Sequence, residues 1–241
     1  MKRTERHHLK ENEIGRLARQ AREMFDARRR ELSWATSALV IVGVVALGYV
    51  AWNARTQTRA HTLIAEALAV QNARIGPPPA PGSVSLAPYF PTHRERAEAA
   101  LKKFKAVADA YPSTDAGVFA RYQQASMYML IGNPTDAAKG YREVMDRGGS
   151  GIYGQMARLG LAEAQARTGE YDQAISTLKE LTQHKDGPLP VDGILMQLGR
   201  TYLDAGNPSN AQQTFTLLVQ EFPESPFTVD AKRELENLKK T

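Results

Sequence analysis

Glycines fall at positions 132, 169 and 206, and the interval is 37 residues each time. Ala100, Ala137, Ala174 and Ala211 keep the same step, and so do Phe104, Tyr141, Leu178 and Phe215. A fixed recurrence of roughly 20 to 50 residues marks a stacked array, in which each unit buries its apolar face only against its neighbours. Such an array exposes a long surface made from equivalent positions of successive units. The expectation is therefore a scaffold that binds other chains, not a catalyst.

The units share one grammar. Ala125 and Tyr128 precede Gly132, which is followed by Ala137, Tyr141 and Val144. Ala162 and Gln165 precede Gly169, followed by Ala174, Leu178 and Leu181. Gly199 and Tyr202 precede Gly206, followed by Ala211, Phe215, Leu218 and Pro223. Small residues at fixed offsets let two antiparallel helices approach closely, and the large ones at i+4 and i+7 fill the space between them. The turns point the same way. Gly132-Asn133-Pro134 and Gly206-Asn207-Pro208 each offer a glycine helix end, an asparagine N-cap and a proline at the first helical position. Gly169-Glu170-Tyr171-Asp172 takes the same place in the middle unit. Tyr111-Pro112 before Ser113 and Thr114, and Phe222-Pro223 before Ser225, match as inter-unit loops three periods apart. The fold class expected is all-α: an α-solenoid of helix hairpins over residues 94–241, closed by a polar-faced capping helix, Pro226–Lys240.

A different signal precedes the array. No Asp, Glu, Lys, Arg or His lies between Ser33 and Ala54, and Trp34, Tyr49 and Trp52 stand near the two ends of the apolar stretch. A helix over Trp34–Trp52 is about 28 Å long at ~1.5 Å per residue, close to the ~30 Å hydrocarbon core. Arg28-Arg29-Arg30 directly precedes it, whereas only Arg55 and Arg59 follow closely. Basic flanks stay in the cytoplasm. Residues 1–32 are thus expected to be cytoplasmic, 33–53 to form an uncleaved transmembrane helix, and the remainder to lie across the membrane. The apolar core exceeds a signal peptide's, and no small-x-small cleavage site follows it.

The chain's net charge of +5 is concentrated at this end. Residues 1–31 hold ten Lys/Arg against six Asp/Glu, while the rest holds 21 against 20. A nearly neutral body makes a poor footprint for nucleic acid. In the basic tail, Leu9, Ile14, Leu17, Ala18, Ala21, Met24 and Phe25 recur at helical spacing. Two readings stand for it: an amphipathic helix on anionic lipid or a partner, and a solvated segment that sets topology. Residues 54–93 connect span to array. They comprise a helix over Thr56–Arg74, able to continue the span and pack on the 94–110 helix, and a proline-rich excursion over 76–93.

Chemistry-bearing constellations are missing from the sequence. There is no cysteine, and none of His7, His8, His61, His93 and His184 lies three or four residues from another. No histidine pair therefore shares a helix face for metal binding. The GGSG at 148–151 lacks the Lys-Ser/Thr and preceding strand of a phosphate loop. No catalytic, cofactor-binding or metal residue is assigned, and the chain is expected not to be an enzyme.

These residues resemble the tetratricopeptide repeat family across about residues 94–240. Its pattern of small residue, glycine or aromatic, glycine, alanine, aromatic, alanine and proline is recognisable there. The period here is 37 instead of about 34, with the extra residues in the inter-unit loops 146–152 and 183–192. Gly149 and Asp186 stand where the family has proline. The resemblance implies a concave face lined by the first helix of each unit. Its inward positions would be Phe119, Tyr122, Ser126 and Met129, then Met156, Leu159, Glu163 and Arg167, then Met196, Arg200 and Asp204. Methionine and aromatic side chains among a few charges suit adaptable capture of a polypeptide segment.

The whole layout resembles the YfgM type of bacterial inner-membrane protein. That likeness implies a periplasmic repeat domain whose partners are the Sec translocon, periplasmic folding factors or exported chains. The alternative of another class is a structural or oligomerisation subunit of a cell-envelope complex that binds no transient clients.

Overall fold

The computed structural model describes residues 29–77, 88–183 and 187–240. The basic tail over 1–28, the centre of the proline-rich stretch and Asp186 lie outside the described residues. Two compact units divide at Thr56.

Between Arg29 and Gln71 there is no proline, and the only glycines are Gly43 and Gly48. Nothing stops a helix there, and α1 runs unbroken over Arg29–Gln71. In the first unit its large apolar side chains from Trp34 to Trp52 are each 61–75 % exposed. A surface of that kind is out of place in water. This helix is long and apolar enough to cross a membrane.

The second unit begins at Gln57, still within α1. The expected end of this helix at Arg74 is corrected to Gln71. Arg74–Ile75 (β1) instead pairs in parallel with Tyr89–Phe90 (β2), and the Gly76 N–H donates to the Phe90 carbonyl at 3.0 Å. Gly76 adopts φ +152 and Pro77 follows, so the chain leaves helical geometry just before this point. Eight helices follow: α2 (His93–Ala110), α3 (Asp115–Leu130), α4 (Pro134–Gly148), α5 (Ile152–Arg167), α6 (Tyr171–Gln183), α7 (Val191–Asp204), α8 (Pro208–Glu221) and α9 (Thr228–Leu238). The last is shorter at both ends than the expected Pro226–Lys240. From α2 onward each helix packs on the next, and α3 with α5 and α5 with α7 also touch.

The glycine turns explain why these helices form hairpins. Gly132, Gly169 and Gly206 adopt φ +82, +83 and +70, a left-handed conformation that costs a side-chain-bearing residue about 1–2 kcal/mol. In each turn the residue after the glycine donates its N–H to a carbonyl five positions back: Asn133 to Tyr128, Glu170 to Gln165, and Asn207 to Tyr202, all at 2.8 Å. The glycine's own N–H reaches Met129, Ala166 or Leu203. This double closure satisfies carbonyls that the helix end would leave orphaned. Asn133 and Asn207 then cap the next helix, accepting from the N–H of Asp136 and Asn210, with proline at the first position.

Packing obeys the same step. Ala100, Ala137, Ala174, Ala211, Phe104, Tyr141, Leu178 and Phe215 are all buried. Three clusters share the core. Ala60, Ile64 and Ala67 of α1 pack with Ala97, Ala100 and Phe104 of α2. Val144, Ala157 and Leu161 centre the second cluster, and Leu178, Ile194, Phe215 and Leu218 the third. Burying each of these large side chains stabilises the fold by about 1.5–3 kcal/mol. Among polar links, Lys103 meets Glu66 at 3.1 Å, and Arg121 bridges Asp109 and Glu143 at 2.8 and 3.2 Å.

Candidate functional site

Helices α3, α5 and α7 are the first helices of successive hairpins, so residues 37 apart stand at equivalent places on them. The row Tyr122, Leu159 and Met196 is apolar. The row one turn on reads Ser126, Glu163 and Arg200. The next row reads Leu130, Arg167 and Asp204, each the last residue of its helix.

Two adjoining grooves run along these rows. One has a volume of about 530 Å³ and is lined by Tyr122, Ser126, Met127, Met129, Leu130, Tyr141, Met156, Leu159, Gly160, Glu163 and Arg167, with Gln71, Leu189 and Gln197. The other, of about 470 Å³, is lined by Glu163, Ala166, Arg167, Gly193, Met196, Gln197, Arg200, Thr201, Asp204 and Phe227. Glu163, Arg167 and Gln197 belong to both and form the seam. Ten of the eleven inward positions expected from sequence thus line a groove. Phe119 does not: its half-buried ring lies 6.4 Å from Phe104, edge-on, and 5.6 Å from Tyr153. It fills space between helices. Met129 and Met196 contribute to the groove walls while being almost wholly buried themselves.

Sequence reasoning missed several lining residues. Tyr141 belongs to the second helix of its hairpin, yet its ring crosses over Gly160 into the first groove. A Cβ added to Gly160 would stand 2.5 Å from the Tyr141 ring, so glycine is what admits it. The signal was present: Gly160 sits 37 residues from both Gln123 and Gln197, a gap in an otherwise large row. Gly199 plays the same part under Phe215, where a Cβ would stand at 2.3 Å. Tyr141 shares a hydrogen bond with Ser126 at 3.2 Å, and its ring centroid lies 5.7 Å from that of Tyr122. Burial pushes the Tyr141 phenol up to about 12, partly offset by the Ser126 bond, and raises Tyr122 as well. Both phenols are neutral hydrogen-bonding groups at physiological pH.

The charges are mostly paired with one another. Arg167 reaches Glu163 at 2.8 Å one helical turn away, and Arg200 reaches Asp230 of α9 at 3.6 Å. The Gln197 side-chain nitrogen is buried without a hydrogen-bond partner. No group of three or more histidine, aspartate or glutamate side chains is arranged to hold a metal among the described residues. The grooves thus combine an apolar floor of tyrosine, leucine and methionine with a seam of solvent-exposed charges and an unsatisfied amide.

Known structures share the fold. A Podosopora anserina kinesin light chain with nearly identical TPR-like repeats superposes with a TM-score of 0.53 at 14% identity, covering 61% of this chain and 79% of that one. A single-residue variant of it gives 0.54 at 15%, covering 61% and 78%. MamA gives 0.50 at 18%, covering 61% and 79%. At such identities these likenesses show the fold alone. No curated protein matches the chain. A tetratricopeptide repeat model matches residues 194–225, and the model of the tetratricopeptide repeat-like domain matches residues 30–187. That second match spans well over half of the sequence, and the chain belongs to the tetratricopeptide repeat-like domain family, whose fold is a scaffold for protein–protein interaction.

Proposed function

We propose that this protein is a membrane-anchored adaptor without catalytic activity, whose repeat unit captures other polypeptides in the α3–α5–α7 grooves on the extracytoplasmic side of a bacterial inner membrane. The observation that carries the reading is the conjunction of these grooves with α1, whose apolar length suits one membrane crossing. Basic residues before the apolar stretch favour a cytoplasmic N-terminus. Tethering confines the repeat unit to a thin layer beside the bilayer and raises its effective concentration near chains emerging there. Protein translocation or envelope-protein folding is the setting, with the translocon, folding factors or exported chains as partners.

Crosslinking from the grooves in native membranes tests this. A photoreactive residue at Leu159 or Arg167 is expected to capture polypeptides that the same residue at Glu180, which lines neither groove, does not. Charge reversal at Arg167 and Arg200, or filling the groove with Leu159→Trp, is expected to reduce capture. Unchanged capture by these folded variants refutes the groove. Topology has its own test, since the cysteine-free chain accepts single reporters. Thr4→Cys should resist an impermeant thiol reagent in spheroplasts and Ser209→Cys should react. The reverse pattern would overturn the orientation.

A further inference from the structure

The rim formed by Leu130, Arg167 and Asp204 has a chemistry of its own. These residues occupy the same place in three successive units, yet they are apolar, basic and acidic in turn. Leu130 is 67 % exposed, although packing would bury a leucine. Asp204 ends α7, where the helix dipole disfavours a carboxylate, and it makes no ion pair or side-chain hydrogen bond among the described residues. Among the described residues Arg167 pairs only with Glu163, in a solvent-exposed pair of a kind that contributes little and exchanges readily. None of the three is placed for the stability of the array.

Resting on the groove reading above, we infer that the occupant is an extended polypeptide segment carrying an apolar, an acidic and a basic side chain in that order, about three residues apart. The spacing follows from the fold. Packed helices such as α3, α5 and α7 stand about 10 Å from axis to axis, and an extended chain in the polyproline II conformation advances about 3.1 Å per residue with three residues per turn, so every third side chain returns to the same face. One unit therefore matches about three residues. The apolar side chain lies against Leu130 and the Tyr122 floor, the acidic one meets Arg167, and the basic one meets Asp204. Gln197 decides for an extended segment over a helix. It lines both grooves, and a turn of its side chain would bring its unpartnered amide nitrogen to the free carbonyls of an extended backbone, which a helix has already used.

The test uses the full chain in detergent micelles and a short fluorescent peptide with Leu, Glu and Lys at every third position in a serine–glycine background, made in both chain directions. Control peptides exchange Glu and Lys. In anisotropy titrations one direction of the first peptide should bind about tenfold more tightly than its control, the size expected when two surface ion pairs become two repulsions. The double variant Arg167→Glu/Asp204→Lys should invert that preference, with circular dichroism confirming that it folds. Equal affinity for both peptides, or a preference the double variant leaves unchanged, overturns the pattern. If neither peptide binds while Leu159-directed crosslinking of native chains persists, the rim inference fails and the groove reading survives. If both are lost, both readings fail.

Discussion

Gly160→Ala gives opposite answers depending on whether the helix or the packing is considered. Inside a helix, replacing glycine by alanine stabilises by about 1 kcal/mol through backbone entropy. In this structure the new methyl would stand 2.5, 2.7 and 2.8 Å from three atoms of the Tyr141 ring, where ordinary carbon contacts lie near 3.5–4.0 Å. The ring must retreat by about 1 Å. It is 4 % exposed, faced by Tyr122 and bonded to Ser126, so it has nowhere easy to go. Overpacking of this kind costs about 1–3 kcal/mol, and the strained or lost Ser126 bond adds about 0.5–1.5 kcal/mol. The net expectation is destabilisation by about 1–3 kcal/mol once the helical gain is subtracted. The assay is urea unfolding of the full chain in detergent, followed by circular dichroism. The sign should reverse when the ring is removed: in a Tyr141→Leu background, Gly160→Ala should be neutral or stabilising. A raised midpoint for Gly160→Ala in the wild-type background, or the same sign in both backgrounds, would refute the close approach of ring and glycine.

Gly132→Ala, Gly169→Ala and Gly206→Ala should each destabilise by about 1–2 kcal/mol in the same unfolding assay, with Gly169→Asn milder, because the left-handed backbone alone is penalised and no atom lies within 4 Å of an added Cβ. Stability should fall between about pH 10 and 12. Tyr141 is raised in the folded state to about 12, so the unfolded chain releases its proton first and rising pH favours unfolding. That loss amounts to about 3 kcal/mol, and Tyr141→Phe should remove most of the slope in denaturation monitored across this range. Leu178→Ala should cost about 2–5 kcal/mol at the centre of the array. In a solenoid that loss should raise amide exchange in α6 and its neighbours before α2 responds.

How legible the molecule was in its sequence depends on what fixes each feature. The hairpins were legible because backbone chemistry fixes them: Gly132, Gly169 and Gly206 adopt the left-handed φ, and Asn133 and Asn207 cap the helices that follow. The core was legible because the recurring alanines and aromatics fall on one helical face. The apolar helix was plain, but its continuation was placed too far, since a two-residue strand pair at Arg74–Ile75 depends on Tyr89–Phe90, beyond the reach of local pattern. Phe119 and Tyr141 show the limit at the groove. Both are aromatic residues at regular spacing, yet one fills an inter-helix gap and the other reaches the groove wall. Tyr141 reaches the groove because Gly160 on the facing helix has no side chain, a pairing across helices that the pattern within one helix does not show.

The repeats themselves supply a comparison that a single sequence otherwise lacks. At positions 100, 137, 174 and 211 the residue is always alanine, and all four are buried. At 104, 141, 178 and 215 it is always large and apolar or aromatic, and again all four are buried. Packing of one hairpin on the next poses the same problem each time and admits the same solution. At 126, 163 and 200, and again at 130, 167 and 204, the three residues differ in polarity or charge, whereas packing would favour sameness. Solvent exposure alone permits such divergence anywhere on the surface. What singles out these two rows is that all six residues line the same pair of adjoining grooves. A surface that only kept the array soluble would have no use for the exposed Leu130 at one end of this rim, so the divergence is what the proposed ligand, with a chemistry that changes along its length, requires.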